Sequence, residues 1–115
     1  LQRFKHFQQL VEKNFARWHQ VADYAKQLGC VEKSLTRATM EAAGMNAKAF
    51  IASRIRLEAK RLLVHTDLSV TLIAEKLGFE EATNFIKFFK RESDCTPTEF
   101  RRQQDAVSAV YGTSL

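Results

Sequence analysis

One short pattern occurs twice in the chain, and this repeat restricts the possible folds more than any other feature. The segment VADYAKQLG, residues 21–29, recurs in outline as VTLIAEKLG, residues 70–78, with Val, Ala, Leu and Gly in register. Each copy has the length of a short helix and ends on a glycine, which readily takes the left-handed conformation that closes a helix. The chain is therefore expected to contain two copies of one helical unit.

A second helix is predicted after each of these glycines. Beyond the turn the offset between the copies grows from 49 to 50 residues, so that Leu35 aligns with Phe85 and Arg37 aligns with Lys87. A short helix, a turn containing glycine and a second helix form the helix-turn-helix arrangement, in which the second helix enters the major groove of DNA. We call the two second helices the reading helices.

Helical periodicity separates a buried side from an outward side in each reading helix. A rotation of about 100° per residue assigns each position to a side. The predicted inward residues of the first reading helix are Leu35, Ala38, Thr39 and Ala42, and those of the second are Phe85, Phe88 and Phe89. The predicted outward residues are Lys33, Arg37 and Met40 in the first helix and Thr83, Lys87, Lys90 and Arg91 in the second, with Ser34, Thr36, Asn84 and Ile86 on the flanks.

The outward side chains have the chemistry that the edges of DNA bases require. Arg37 and Lys87 can donate hydrogen bonds to guanine, Asn84 can pair with adenine, and Ile86 can contact a thymine methyl group. An outward Lys or Arg on a single helix is usually only solvated, but here such residues recur at equivalent positions of a repeated unit. We therefore expect both reading helices to contact base pairs.

A long helix is predicted between the two repeats. It runs from about Ala47 to Val64, with Asn46 as its N-cap and with Ile51, Ile55, Ala59 and Leu62 on one face. A helix of this length spans about 27 Å, close to the roughly 34 Å of one turn of B-DNA, so we expect the two reading helices to enter successive major grooves. The basic residues expected to contact phosphate are Arg54, Arg56, Lys60, Lys90, Arg91 and Arg102.

The sequence also predicts where two later helices begin. Ser69 is predicted to cap the helix of the second repeat, and Thr96-Pro97-Thr98-Glu99 has the residues of a capping box with proline at the first helical position. A last helix is expected to follow, and the stretch from Tyr111 to Leu115 is expected to fray.

Composition excludes several classes of protein. No apolar run approaches the roughly 20 residues that a membrane-spanning helix needs, so we expect no membrane segment and a cytoplasmic location. The two cysteines and three histidines are isolated, with no spacing typical of a metal or catalytic site, and we therefore expect no enzyme activity and no cofactor. The net charge of +5 and the pI of about 9.5 favour a polyanionic partner.

Several spaced motifs together resemble the AraC/XylS family of bacterial transcription regulators. They are RLEAKRLL at residues 56–63, Leu68-Ser69-Val70, Ile73-Ala74, Leu77-Gly78-Phe79, Phe85, Phe89-Lys90 and TPTEFR at residues 96–101. The resemblance covers about Phe7 to Arg102 and is strongest in the second half of the chain.

The resemblance implies an all-α fold of about seven helices, in which two helix-turn-helix subdomains, residues 1–45 and 66–110, are joined by a linker helix at residues 46–65. It also implies sequence-specific binding to double-stranded promoter DNA, more often for activation than for repression, and contact with RNA polymerase. The family's base-reading positions correspond here to Lys33, Ser34, Thr36 and Arg37 in the first reading helix and to Ala82, Thr83, Ile86 and Lys87 in the second.

The chain departs from the family pattern in places. The family usually has Ser or Thr where Val31 begins the first reading helix, an aromatic residue where Thr39 lies, and glycine where Asp94 precedes the Thr-Pro motif. The first unit is therefore expected to be less firmly packed. Glu80 and Glu81 open the second reading helix and are expected to interact with the positive end of its dipole.

Two further questions concern the role of the whole chain. Many family members carry a separate N-terminal domain that binds an effector and often dimerises, and we expect this chain, which starts at Leu1, to be the output domain of such a regulator. A free-standing small regulator is the alternative. A helical protein-interaction module without specific DNA binding also stays open, and duplex binding that falls steeply with salt would discriminate against it.

Overall fold

The computed structural model describes residues 2–111, and these residues form seven α-helices and no β-strand. The helices are α1 (Gln2–Asn14), α2 (Val21–Leu28), α3 (Glu32–Ala43), α4 (Ala47–His65), α5 (Val70–Lys76), α6 (Ala82–Ser93) and α7 (Pro97–Tyr111). The predicted all-α fold of seven helices is confirmed, and α3 and α6 are the two reading helices. The fraying predicted for the end of the chain concerns residues that, apart from the helical Tyr111, lie outside the described part.

Two compact units make up the chain, the first from Leu1 to Ile55 and the second from Arg56 to Leu115. The boundary falls inside α4, so that this helix contributes residues 47–55 to the first unit and residues 56–65 to the second. Within residues 2–111, no helix combines the length and the apolar character that crossing a membrane requires.

The core of the first unit is built where α1, α2 and α3 meet. Phe7, Tyr24 and Leu35, one from each helix, are fully buried, and the Phe7 and Tyr24 rings meet edge to face with centroids 5.4 Å apart. The Tyr24 hydroxyl donates a hydrogen bond to the Trp18 carbonyl at 2.9 Å. Burial raises the pKa of Tyr24, so this phenol stays a neutral donor and its polar atom is satisfied inside the core.

The core of the second unit is aromatic. Phe85 and Phe89 of α6 are fully buried, with Phe79 5.3 Å from the Phe85 ring and Phe100 5.7 Å from the Phe89 ring. Ile73 of α5 is buried beside them in the same unit. The spacing of three and four residues between the inward phenylalanines of α6 thus holds one face of this helix in the interior.

The predicted helix ends are confirmed. Gly29 closes α2 with φ of 66°, and Gly78 follows α5 with φ of 87°. The Asn46 side chain accepts from the Ala49 N–H at 2.8 Å, and the Ser69 hydroxyl accepts from the Leu72 N–H at 3.1 Å.

The capping box of α7 is formed as predicted. The Thr96 N–H donates to the Glu99 carboxylate at 2.8 Å, and the Glu99 N–H donates to the Thr96 hydroxyl at 3.1 Å. The bond from the Thr96 backbone lowers the pKa of Glu99, because it favours the ionised carboxylate. Two backbone donors at the start of α7 are therefore satisfied reciprocally.

One expectation about buried faces is wrong. Ala42 was expected to point inward but is exposed, because the packed part of α3 ends one turn earlier, at the buried Thr39. On α4 the buried stripe continues from Ala59 to Leu63, which is 2% exposed, whereas Leu62 is only half-buried. A step of four residues turns the helix by about 40° beyond one full turn, so Leu63 continues the series of buried positions.

The reading helices end at equivalent positions, Gly44 and Asp94, and both residues are left-handed with φ of 73° and 64°. Asp94 is the one described residue other than glycine with positive φ. Its Cβ is strained in that conformation, and its carboxylate lies at the negative end of the α6 dipole. We therefore expect Asp94→Gly to raise the free energy of unfolding by about 1 kcal/mol, measured by urea denaturation.

The repeat supplies the control for this substitution. Gly44→Asp introduces into the first unit the residue that the second unit has at the equivalent position, and it should lower stability by a similar amount. No atom lies within 4 Å of the place that a side-chain Cβ at Gly44 would occupy, so the loss would come from the backbone and charge alone. An Asp94→Gly protein no more stable than the parent would contradict this account of the α6 C-terminus.

Candidate nucleic-acid interface

The first reading helix is fixed by its buried side and presents polar side chains on the other. Leu35 and Thr39 are fully buried, and the Thr39 hydroxyl donates to the Leu35 carbonyl at 2.8 Å, which satisfies its polar atom within the helix. The predicted outward residues Lys33 and Arg37 are exposed, and the flanking Ser34 and Thr36 are half-buried.

The second reading helix has the same arrangement. Phe85, Phe88 and Phe89 anchor it in the core. Of its predicted base-reading residues, Thr83, Asn84 and Lys87 are exposed, whereas Ala82 and Ile86 are half-buried. The structure therefore brings the predicted residues of each helix together on the side away from its core.

Neither reading helix starts with a side-chain cap. Val31 and Glu81 occupy the N-cap positions of α3 and α6 with extended backbones, and neither side chain accepts a hydrogen bond from its helix. By contrast, Ser69 caps α5 and Asn46 caps α4. The first N–H groups of both reading helices are therefore not satisfied by an N-cap side chain.

Arg54, predicted to contact phosphate, has a partner within the first unit. Its guanidinium binds the Glu12 carboxylate with two short contacts, Nε to Oε2 at 2.7 Å and Nη2 to Oε1 at 3.1 Å. It also lies over the Phe15 ring at 4.2 Å, and its side chain is only 17% exposed. Arg54 thus joins α4 to α1, and any phosphate would have to compete with Glu12.

The other predicted phosphate contacts lie in the second unit and differ in how free they are. Arg56 and Arg91 both contact Glu92, at 3.5 and 3.6 Å, and the Lys60 ammonium lies 5.3 Å from the centre of the Phe100 ring. The exposed cations of the set are Lys90, Arg91 and Arg102. These three have side chains that are accessible to a polyanion.

Arg101 is a residue whose role the sequence analysis missed. Its guanidinium donates to the carbonyls of Leu63 at 3.0 Å, Leu68 at 2.8 Å and Thr66 at 3.2 Å, with a longer contact to Leu62. The acceptors lie at the end of α4 and in the segment before α5, where carbonyls lack a following helical turn to donate to them, although the Leu62 carbonyl also accepts from Thr66. The TPTEFR motif contains this arginine, but the motif alone does not reveal what it binds.

The described residues contain no candidate metal site. Within residues 2–111, no three His, Cys, Asp or Glu side chains are placed to hold a metal ion, and Cys30 and Cys95 are both unpaired thiols. The predicted base-reading side chains lie together on the two reading helices.

Comparisons with known proteins agree with this geometry. A helix-turn-helix domain family model matches residues 24–103. The chain is 34% identical over 101 residues to the transcriptional activator RhaS of Klebsiella pneumoniae strain 342, an alignment that covers 84% of this chain and 35% of that protein. The chain thus spans about a third of the length of this relative.

Solved structures share the fold. A transcriptional regulator of Chromobacterium violaceum, described as having an AraC-type DNA-binding domain, superposes with a TM-score of 0.75 at 22% identity, covering 89% of this chain and 91% of that one. The DNA-binding domain of AdpA, a global transcriptional factor solved with a target DNA, superposes with a TM-score of 0.79 at 19% identity, covering 96% and 97%.

Proposed function

The chain belongs to the AraC-type family of helix-turn-helix domains, and from this premise we propose that it binds specific sequences of double-stranded DNA and regulates transcription. The observation that carries the proposal is the repeated reading helix. In both α3 and α6, a buried face fixes the helix and an exposed basic residue, Arg37 or Lys87, lies at the equivalent outward position.

Base reading and phosphate contact are assigned to different residues in this proposal. The residues proposed to read bases are Lys33, Ser34, Thr36 and Arg37 of α3 and Ala82, Thr83, Asn84, Ile86 and Lys87 of α6. The residues proposed to contact phosphate are Arg54, Arg56, Lys60, Lys90, Arg91 and Arg102. Phosphate contact is better supported for Lys90 and Arg102, which are exposed, than for Arg54, which is mostly buried and binds Glu12.

The proposal extends to the protein of which this chain forms part. Because the chain spans about a third of RhaS, we propose that it is the output domain of a larger, effector-responsive bacterial regulator. In this proposal the regulator is cytoplasmic, has no catalytic activity, activates transcription and contacts RNA polymerase, with the two helix-turn-helix subdomains at residues 1–45 and 66–110 joined by residues 46–65.

Selection of duplexes from a random pool tests the proposal. The chain should enrich one sequence and bind it at least about a thousandfold more tightly than scrambled duplex. Affinity should fall with salt, with a slope of about −0.9 for each phosphate contact when log K is plotted against log salt. A footprint of about two helical turns would support the predicted use of successive grooves.

The opposite result identifies the alternative. A chain that enriches no sequence from the pool and shows no salt-dependent binding to duplex would support the alternative, a helical protein-interaction module, and the proposed function would be wrong.

A further inference from the structure

The outward sides of the two reading helices carry their terminal cations at different ends. We call the five equivalent positions on each helix its outward stripe: Lys33, Thr36, Arg37, Met40 and Glu41 in α3, and Thr83, Ile86, Lys87, Lys90 and Arg91 in α6. In α3 the stripe begins with a cation and ends with an anion. In α6 it begins uncharged and ends with two cations, so the positively charged end is the start of α3 but the finish of α6.

The residues that precede each reading helix strengthen this difference. Lys26 lines a groove together with Val31 and Glu32 at the start of α3, and its side chain is exposed. At the position equivalent to Lys26, 49 residues later, the second unit has Glu75. At the start of α3, Lys26 and Lys33 outnumber the one acid of its first turn, Glu32, whereas the second unit has an anion in place of Lys26.

Two further acids stand at the start of α6. Glu80 and Glu81 are exposed, and their carboxylates form no ion pair within the described residues. The helix dipole contributes only about half a positive charge at this end, which two carboxylates outweigh. A phosphate near the start of α6 would therefore be repelled.

The two ends of each stripe are far enough apart to act separately. From Lys33 to Glu41 the helix rises about 12 Å, whereas charges in solution are screened over about 8 Å at physiological ionic strength. A phosphate close to one end of the helix therefore responds mainly to the charges at that end.

The cations at the finish of α6 are accessible. Lys90 is exposed, and the Arg91 side chain is 67% exposed. Arg91 lies 3.6 Å from Glu92, and Glu92 also lies 3.5 Å from Arg56. Because the one carboxylate is shared by two guanidinium groups, the cluster keeps a net positive charge. At the positions of α3 equivalent to Lys90 and Arg91, Met40 and Glu41 are exposed, and neither attracts a phosphate.

Given the proposed DNA binding, on which this inference rests, we propose that the two reading helices contact phosphate at opposite ends. The α3 contact is at its N-terminal end through Lys26 and Lys33, and the α6 contact is at its C-terminal end through Lys90 and Arg91. Lys33 is thereby assigned to phosphate instead of to a base, and Glu80 and Glu81 keep the start of α6 away from the DNA backbone.

Exchange of residues between equivalent positions tests this proposal. Lys33→Thr and Lys90→Met each remove a cation at a proposed contact, and each should make the slope of log K against log salt shallower by about 0.9. Glu75→Lys, the exchange at the position equivalent to Lys26, and Met40→Lys each add positive charge at an end that the proposal keeps away from phosphate. These two should leave the slope as it is in the parent.

The measurement is made on the duplex selected by the parent chain, with far-UV circular dichroism to establish that each variant is folded. A slope that steepens in Glu75→Lys or Met40→Lys as much as it flattens in Lys33→Thr or Lys90→Met would overturn the proposal, as would a slope unchanged by either removal. A parent chain that binds no duplex overturns the proposed function itself, a result seen before any variant is compared.

Discussion

Replacement of Arg101 with alanine is expected to lower the free energy of unfolding by about 3 kcal/mol. The guanidinium is partly buried and donates to Leu63, Leu68 and Thr66 carbonyls at 2.8–3.2 Å. A hydrogen bond from a charged donor contributes about 1.5–3 kcal/mol, and partial exposure reduces the sum. The cation also lies at the negative end of the α4 dipole, where a positive charge is favourable.

Urea denaturation of Arg101→Ala beside Arg102→Ala measures this effect. Arg102 is the next residue on α7 and is exposed, so its loss should change stability by no more than about 0.5 kcal/mol. Arg101→Lys should recover less than half of the loss, because an ammonium group does not reach several acceptors at once as a planar guanidinium does. Equal stability of the Arg101→Ala and Arg102→Ala proteins would show that the contacts to α4 contribute nothing.

Replacement of Arg37 or Lys87 with alanine is expected to weaken binding to the selected duplex by about 1–3 kcal/mol each. Both side chains are exposed at the middle of an outward stripe, where a cation can donate to the O6 and N7 atoms of guanine. Loss of the donor removes the preference for one base pair, so each variant should also accept other bases at a single position of the site.

Affinities for the selected duplex and for its single-base variants separate base reading from general attraction. Lys13→Ala removes an equal charge from α1, outside the reading helices, and should leave every base preference in place. If Arg37→Ala and Lys87→Ala bound all of these duplexes with the parent's pattern of preference, the assignment of base reading to these residues would be wrong.

Much of the fold follows from local patterns in the sequence. The phenylalanines of α6 recur at helical spacing, and the caps at Asn46, Ser69 and Thr96 lie where short polar side chains precede apolar runs. Such signals depend on neighbours within one turn, and for that reason the seven helices and the inward side of each reading helix are predictable. The exposure of Ala42 is not, because periodicity gives the direction of a side chain but not whether another element covers it.

The missed contacts join residues far apart in the chain. Arg54 and Glu12 are separated by 42 residues, and Arg101 lies 38 residues from Leu63. Charged residues occur throughout this sequence, and nothing in their spacing says which of them will meet. Tertiary packing decides the partner, so the internal role of Arg54 and the α4 contacts of Arg101 emerge only from coordinates.

The separation of each reading helix into a buried face and an outward stripe has a consequence for evolution. No residue belongs to both sets, since Leu35, Thr39, Phe85 and Phe89 are fully enclosed while the stripe positions border solvent. Selection can therefore direct such a regulator to new promoters by substituting a few surface residues. The buried residues that keep the protein folded need not change.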